Sequence, residues 1–359
     1  LKKILPRAVF LLAILAFTAN ILYVWQSTAM RNSIMGNDEY FFYRTTMNLP
    51  NYETTGTWLT EEGAPNREAV DDAASYLFDI AYTRPIWIHP LVANYIAYPI
   101  AALFDDVAEQ IQWLRLIDVA IIILTVVLFL DVIRRRTNHY VAAISVLPMM
   151  VGRWLLANGI MFYNDLFMWF FFALTMWVIT RNPRSRWIIP LAVVTVLCKM
   201  NALLLLAPIL LYLYYLTKEK NVIVKVGMAS VAVFLGYMAF QAIVAGDVLY
   251  FMHHWGRLDT NARLNITANV LPHIWSYVIS WGLWVSIPLL VAGIALVIKK
   301  KAKPFYGFAA FGVITLLYSL GWGFYAYQVY PVMYASMFMV PIVWFSSYIK
   351  TETCDEKDS

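Results

Sequence analysis

The stretch WLRLIDVAIIILTVVLFLDVIRRR, residues 113–136, decides the fold. Its apolar run is about 20 residues long, which is what an α-helix needs to cross a hydrocarbon core of about 30 Å. It ends abruptly on Arg134, Arg135 and Arg136, and a cluster of arginines at the end of such a run marks the cytoplasmic side of a membrane. Runs of the same kind recur along the chain. Of its 359 residues 61% are hydrophobic and 14% charged. Soluble domains are nearer 45 to 50% apolar, so lipid is the expected solvent, and helices rather than a barrel the expected element.

Four more basic clusters separate the other apolar runs: Lys2, Lys3 and Arg7; Arg181, Arg184 and Arg186; Lys218, Lys220 and Lys225; and Lys299, Lys300, Lys301 and Lys303. The net charge of +5 is thus spread between helices, not gathered into a patch interleaved with aromatics, and nucleic acid is not an expected partner. If all five clusters are cytoplasmic, the chain between each pair crosses an even number of times.

That parity gives about ten crossings. Ala8 to Met30 leads out and Trp113 to Ile133 returns, with a long outer loop, 31–112, between them. Tyr140 to Ala157 and Met161 to Thr180 form the next pair. Two crossings must then fit between Arg186 and Lys218, so Trp187 to Cys198 and Ala202 to Leu216 are expected as a short pair turning near Lys199. Val226 to Ala245 leads to a second outer loop, 246–273. Ile274 to Ile298, Phe305 to Phe324 and Pro331 to Tyr348 complete the count, which puts both ends of the chain inside.

The expectation is one all-α polytopic membrane domain over residues 1–350, followed by a cytoplasmic tail, 351–359. The first helix is basic at its start, as a signal peptide is, but no small-residue cleavage site follows it, so it is read as retained. Cys198 and Cys354 fall on opposite faces and form no disulfide framework. Within the outer loop, Val70, Ala73, Ala74, Leu77 and Phe78 have helical spacing. Trp87 to Phe104 is apolar but broken by Pro90 and Pro99. A crossing there would leave Arg134 to Arg136 outside, so it is expected to lie on the outer leaflet as an interfacial helix.

The polar residues that could carry chemistry gather at the outer edge. Asp38 and Glu39 stand just beyond the first helix, where a general base could meet a group emerging from the membrane; a solvated acidic turn explains them equally well. Asp165 opens an aromatic helix, and an acid inside a spanning segment is functional by default, with helix capping the plainer reading. Arg115, Arg153 and Lys199 fall at the outer ends of three different helices, and converging cations there suit a lipid phosphate. Each alone could simply snorkel to the headgroups. His89, His253, His254 and His273 all fall in outer loops. Asp38, Glu39 and His89 are a candidate set for a divalent ion (Mg, Mn or Zn), but they lack the close spacing that marks a metal motif. The sequon Asn265-Ile266-Thr267 is a pattern that chance supplies often.

These residues resemble, in order along the chain, the multi-spanning glycosyltransferases of the GT-C fold. The likeness is to the polyprenyl-phosphate-sugar-dependent branch that includes protein O-mannosyltransferases and lipid A aminoarabinose transferases. Asp38-Glu39 looks like that family's acidic pair in the first outer loop. Arg84-Pro85-Ile86-Trp87-Ile88-His89-Pro90-Leu91 is similar to the segment that opens its interfacial helix, with one proline fewer. Arg115 resembles the arginine at the start of the second spanning helix, Asp165 the second acid, and Cys198-Lys199-Met200-Asn201 the lysine between two short helices. Gln328-Val329-Tyr330-Pro331 resembles the polar entry to a late helix.

The resemblance implies inverting transfer of a sugar from a polyprenyl phosphate to an extracytoplasmic acceptor, a glycolipid, glycan or protein of the cell envelope. Asp38 would act as base, with Glu39 and Asp165 shaping the donor and acceptor sites. Arg115, Lys199 and Arg153 would hold the donor phosphate, and His89, Gln328 and Tyr330 would bind substrate. No nucleotide cofactor is implied, and no phosphate-cradling glycine loop is seen. The expected location is the plasma or inner membrane, with the active site outside. The competing reading is a transporter or lipid flippase without chemistry. Transporter sites favour the midplane of two related halves, and neither a midplane cluster nor a repeat is visible here.

Overall fold

The computed structural model describes residues 4–29, 42–43, 46–47, 92–136, 138–146, 150, 164–199, 202–245, 291, 295 and 298–299. The long elements among them are all helices: α1 (Ile4–Ala29), α2 (Val92–Ala101), α3 (Val107–Arg136), α4 (His139–Ser145), α5 (Asn164–Arg181), α6 (Ile188–Cys198), α7 (Leu203–Thr217) and α8 (Lys220–Ala245).

Ile4–Gln26, Val107–Arg136 and Lys220–Phe240 are long and apolar enough to cross a membrane, while Leu166–Arg181, Ile188–Cys198 and Leu205–Thr217 are shorter apolar helices. The chain is therefore helical and suited to lipid, as its composition implies. The expected helix over Glu68 to Ile80, the second outer loop and the last two crossings lie outside the described residues, as do most of the Tyr140 to Ala157 crossing and all but three residues of the Ile274 to Ile298 crossing.

The helix ends follow from the sequence. The Asp106 carboxylate accepts from the backbone N–H groups of Ala108 and Glu109, so α3 begins at Val107 and not at Trp113, taking its first turns from the expected outer loop. Arg134, Arg135 and Arg136 fill its last turn, where cations complement the helix dipole. Asn138 caps α4 by accepting from the Val141 N–H at 3.0 Å. α7 stops at Lys218, whose φ of 58° is left-handed and closes the helix through its N–H to the Tyr214 carbonyl.

α3 is the centre of the bundle: half of its apolar window is buried, against 11% for α1 and 17% for α8. α3 and α5 pack through Phe129, Trp169 and Phe172, with Phe129 ring centroids 5.7 and 5.8 Å from the other two. Buried hydroxyls bond back within their own helices, Thr125 to the Ile121 carbonyl and Thr175 to that of Phe171. Those two hydroxyls are thereby satisfied where lipid could not hydrate them.

Tertiary contacts fix the helix directions. Asp131, near the end of α3, accepts from the Trp177 indole at 3.0 Å and lies 3.7 Å from the Arg181 guanidinium, both at the end of α5. The Tyr212 hydroxyl, near the end of α7, accepts from Arg136 Nε at 2.9 Å and lies 3.0 Å from Thr180 Oγ1. So α3, α5 and α7 run the same way, with α6 returning between α5 and α7 after the turn at 182–187. Arg184 bonds to Glu219 beyond α7, and the Arg134 guanidinium sits 5.8 Å above the Phe10 ring of α1. Four basic clusters, around Arg7, Arg134, Arg181 and Lys218, thereby meet at one end of the bundle, as the charge pattern anticipates.

Candidate functional site

The opposite end carries the candidate site. Arg115 lies sixteen residues before Asp131 in α3, and Asp165 sixteen before Arg181 in α5. At 1.5 Å per residue each stands roughly 24 Å from the basic end. Lys199 follows α6, which rises from the basic end for eleven residues, or about 16 Å. The three elements pack on one another through α5, and α2 touches α3, α5 and α6.

Lys199 sits between two short helices, as the parity argument requires, and their observed bounds differ from the expected ones by a residue at most ends. Its depth differs from expectation. A helix of about 16 Å covers half of a 30 Å core, so the hairpin turns inside the bundle and not at the outer surface. The backbone at Lys199 is extended, with φ −161° and ψ 142°, and the Ala202 N–H closes the turn onto the Lys199 carbonyl at 2.9 Å. Non-helical backbone at such depth is tolerated where protein covers it or where it lines a cavity. Cys198, Lys199 and Ala202 are all fully buried.

Arg115 is fully buried too, and with Lys199 it ranks among the largest side chains so enclosed. Burying a cation in a medium that screens poorly costs several kcal/mol unless it is paired, so two of them inside one bundle demand a reason. One turn below Arg115 on the same face of α3 lies Asp118, also fully buried. Arg115, Asp118 and Lys199 each engage a partner. Sequence reasoning passed over Asp118, though an acid inside a spanning run is itself the signal that should single it out.

A polar clamp joins the segment expected as the first outer loop to this end. Asn94 of α2 donates to Thr46 Oγ1 at 2.9 Å and to the Phe42 carbonyl at 3.3 Å. The Tyr43 hydroxyl donates to Gln110 Oε1 at 2.6 Å, and Gln110 Nε2 donates to the Phe104 carbonyl at 2.6 Å. Phe42, Tyr43, Thr46 and Asn94 are all buried. The clamp therefore holds the chain a few residues beyond Asp38 and Glu39 against α2 and the start of α3. Asn94 and Gln110 were not legible as partners, because their contacts span 48 to 67 residues of sequence.

α2 itself falls inside the expected interfacial segment. Ala93, Asn94, Ala97 and Ala101 face inward, and Tyr95, Ile96, Ile100 and, just beyond, Leu103 face outward. The described helix of this segment is ten residues long, shorter than a spanning helix.

Of the expected site residues, Arg115 and Lys199 are thus placed with their side chains, and Asp165 by its backbone at the start of α5. Asp38, Glu39, His89, Arg153, Gln328 and Tyr330 lie outside the described residues, as do His253, His254, His273 and the sequon at Asn265. Among the described residues no group of three His, Cys, Asp or Glu side chains could hold a metal ion. The candidate set Asp38, Glu39 and His89 is not among them.

Residues 88–246 match the family described as Dolichyl-phosphate-mannose-protein mannosyltransferase. The matched stretch opens at the His89-Pro90 segment, contains Arg115, Asp165 and Lys199, and ends with α8. No curated protein matches the chain. Together with the apolar helices, the match supports a membrane-bound glycosyltransferase.

Proposed function

We propose that the protein transfers a sugar, with inversion, from a polyprenyl phosphate to an extracytoplasmic acceptor hydroxyl. The observation that carries this reading is the full burial of two cations from separate elements, Arg115 near the end of the bundle away from the basic clusters and Lys199 at the hairpin turn inside it. In such a transfer the acceptor oxygen attacks the anomeric carbon as its bond to the lipid phosphate breaks. Negative charge grows on the departing phosphate, and cations fixed in a poorly screening site lower the barrier most at that point. The acceptor proton passes to a base, a role proposed for Asp38, with Glu39 and Asp165 orienting acceptor and donor.

Arg153 would join the phosphate site, and His89, Gln328 and Tyr330 would contact the sugar or acceptor. The membrane would hold the donor's lipid tail, so binding needs no soluble nucleotide. The basic end is assigned to the cytoplasm by the positive-inside rule, which turns the Arg115 end outward. On this reading both ends of the chain are cytoplasmic and the protein resides in the plasma or inner membrane.

The decisive experiment offers the purified protein radiolabelled polyprenyl-phosphate sugars with an acceptor extract, and compares wild type with Asp38→Asn. Label should enter the acceptor with wild type and fall by at least about a hundredfold with the variant, the usual scale of a lost general base. Equal incorporation by both removes the base assignment. No incorporation with any donor, together with substrate uptake into proteoliposomes, overturns transfer in favour of transport.

A further inference from the structure

A second concave site lies at the basic end, between α1, α3 and α5, with a volume of about 520 Å³. Its deep walls are apolar: Leu11 and Ile14 from α1, Val127 and Leu128 from α3. Its mouth is ringed by four guanidinium groups, Arg7, Arg134, Arg135 and Arg181. The single carboxylate among the lining residues is Asp131, which is bonded to Arg134 and Arg135, accepts from Trp177 and faces Arg181. Four guanidiniums and one carboxylate leave the mouth with an excess of three positive charges.

Asp131 orients these arginines without neutralising them. The Arg134, Arg135 and Arg181 side chains remain 30%, 38% and 47% exposed, with room to receive a further anion. Ile14 lies seven residues beyond Arg7, and Val127 seven before Arg134, so the apolar walls extend roughly 10 Å below the charged ring. Burial, followed by the Arg134 and Arg7 charges, holds the neighbouring His139 imidazole below its ordinary range, in keeping with a positive local field.

We propose that this groove binds an anionic phospholipid of the adjacent leaflet, its phosphate on the guanidinium ring and the upper part of one acyl chain along Leu11, Ile14, Val127 and Leu128. Arginine forks match phosphate oxygens in pairs, and basic pockets between spanning helices are where anionic headgroups dock. The apolar floor favours a lipid over the acidic segment Thr351 to Ser359, which has charge to offer but no side chains to fill it. The site stands apart from the proposed sugar transfer and does not depend on it.

The test titrates the full-length protein in detergent with phosphatidylglycerol and with phosphatidylcholine, and reads retained lipid by native mass spectrometry. Phosphatidylglycerol should bind at least about tenfold more tightly than phosphatidylcholine. Arg7→Gln and Arg181→Gln should each weaken it about tenfold, the size of one charge-assisted contact. Ile14→Trp should remove binding with the charge unchanged. Should Arg181→Gln misfold, Arg7→Gln serves in its place, since Arg7 stands in the first turns of a peripheral helix.

Equal retention of the two lipids overturns the proposal, as does retention of phosphatidylglycerol that none of the three variants changes. A disulfide formed readily between Cys354 and an Arg7→Cys variant, and suppressed by no lipid, assigns the groove to the C-terminal segment and overturns it as well.

Discussion

The Asp131 carboxylate accepts the Trp177 indole N–H at 3.0 Å, and this bond, with the Arg181 contact, joins the basic ends of α3 and α5. Because it lies at the same level as the Arg181 contact, it fixes α3 and α5 as parallel. Arg115 and the start of α5 are thereby carried to the opposite end together.

Removing the carboxylate leaves Arg134, Arg135 and Arg181 crowded without their shared counter-ion. Breaking a fully buried pair costs about 3 to 5 kcal/mol, and Asp131 is partly exposed, so Asp131→Asn should destabilise the protein by about 2 kcal/mol. Trp177→Phe removes a single bond to that charge and should cost about 1 kcal/mol. Thermal unfolding in detergent gives the order directly, and a larger loss for Trp177→Phe contradicts it.

Lys199→Met keeps the length of the side chain and removes its charge. If the cation stabilises the leaving phosphate, kcat should fall by about a hundredfold or more. Stability should fall by about 1 to 3 kcal/mol, because the buried partner that Lys199 engages loses its contact, so turnover is compared per folded molecule. Unchanged turnover in a folded variant contradicts the phosphate role.

If Arg115 grips the donor phosphate through both arms of its fork, Arg115→Lys retains the charge and reduces a bidentate contact to a single one. Turnover should fall by about tenfold, against a greater loss for Arg115→Met, in the radiolabel transfer assay. Equal activity of the two variants would mean that charge at this position is immaterial.

The clamp on the segment after Asp38 and Glu39 offers a pair of variants. Tyr43→Phe deletes the bond to Gln110 and should cost about 1 kcal/mol. Asn94→Ala deletes two bonds and leaves a small cavity, and should cost about 2 to 3 kcal/mol. Both should lower kcat beyond the loss of folded protein, since the clamped chain follows Asp38 and Glu39 closely. Activity per folded molecule equal to wild type would separate the clamp from the chemistry.

Sidedness can be read by cysteine labelling in a Cys354→Ser background, where the remaining Cys198 is fully buried and should stay unlabelled. Leu103→Cys, at an exposed position before α3, should react with an impermeant maleimide on intact cells. Ser185→Cys, in the turn between α5 and α6, should react only after permeabilisation. The reverse pattern inverts the topology.

Hydropathy and charge carried much of the fold into the sequence unaided. The cost of moving a charge or an apolar side chain between water and lipid is a property of each residue, so apolar runs and arginine clusters could be read one at a time. The helical class, the shared end of the basic clusters around Arg7, Arg134, Arg181 and Lys218, and the short pair around Lys199 all followed. Only the tertiary structure decided what depends on partners distant in the chain. The depth of Lys199, the burial of Asp118, the Asn94 and Tyr43 clamp, and the arginine-ringed groove beside Asp131 arise where helices meet. Which faces meet is settled by the packing of whole helices on one another, and no local period or spacing encodes it.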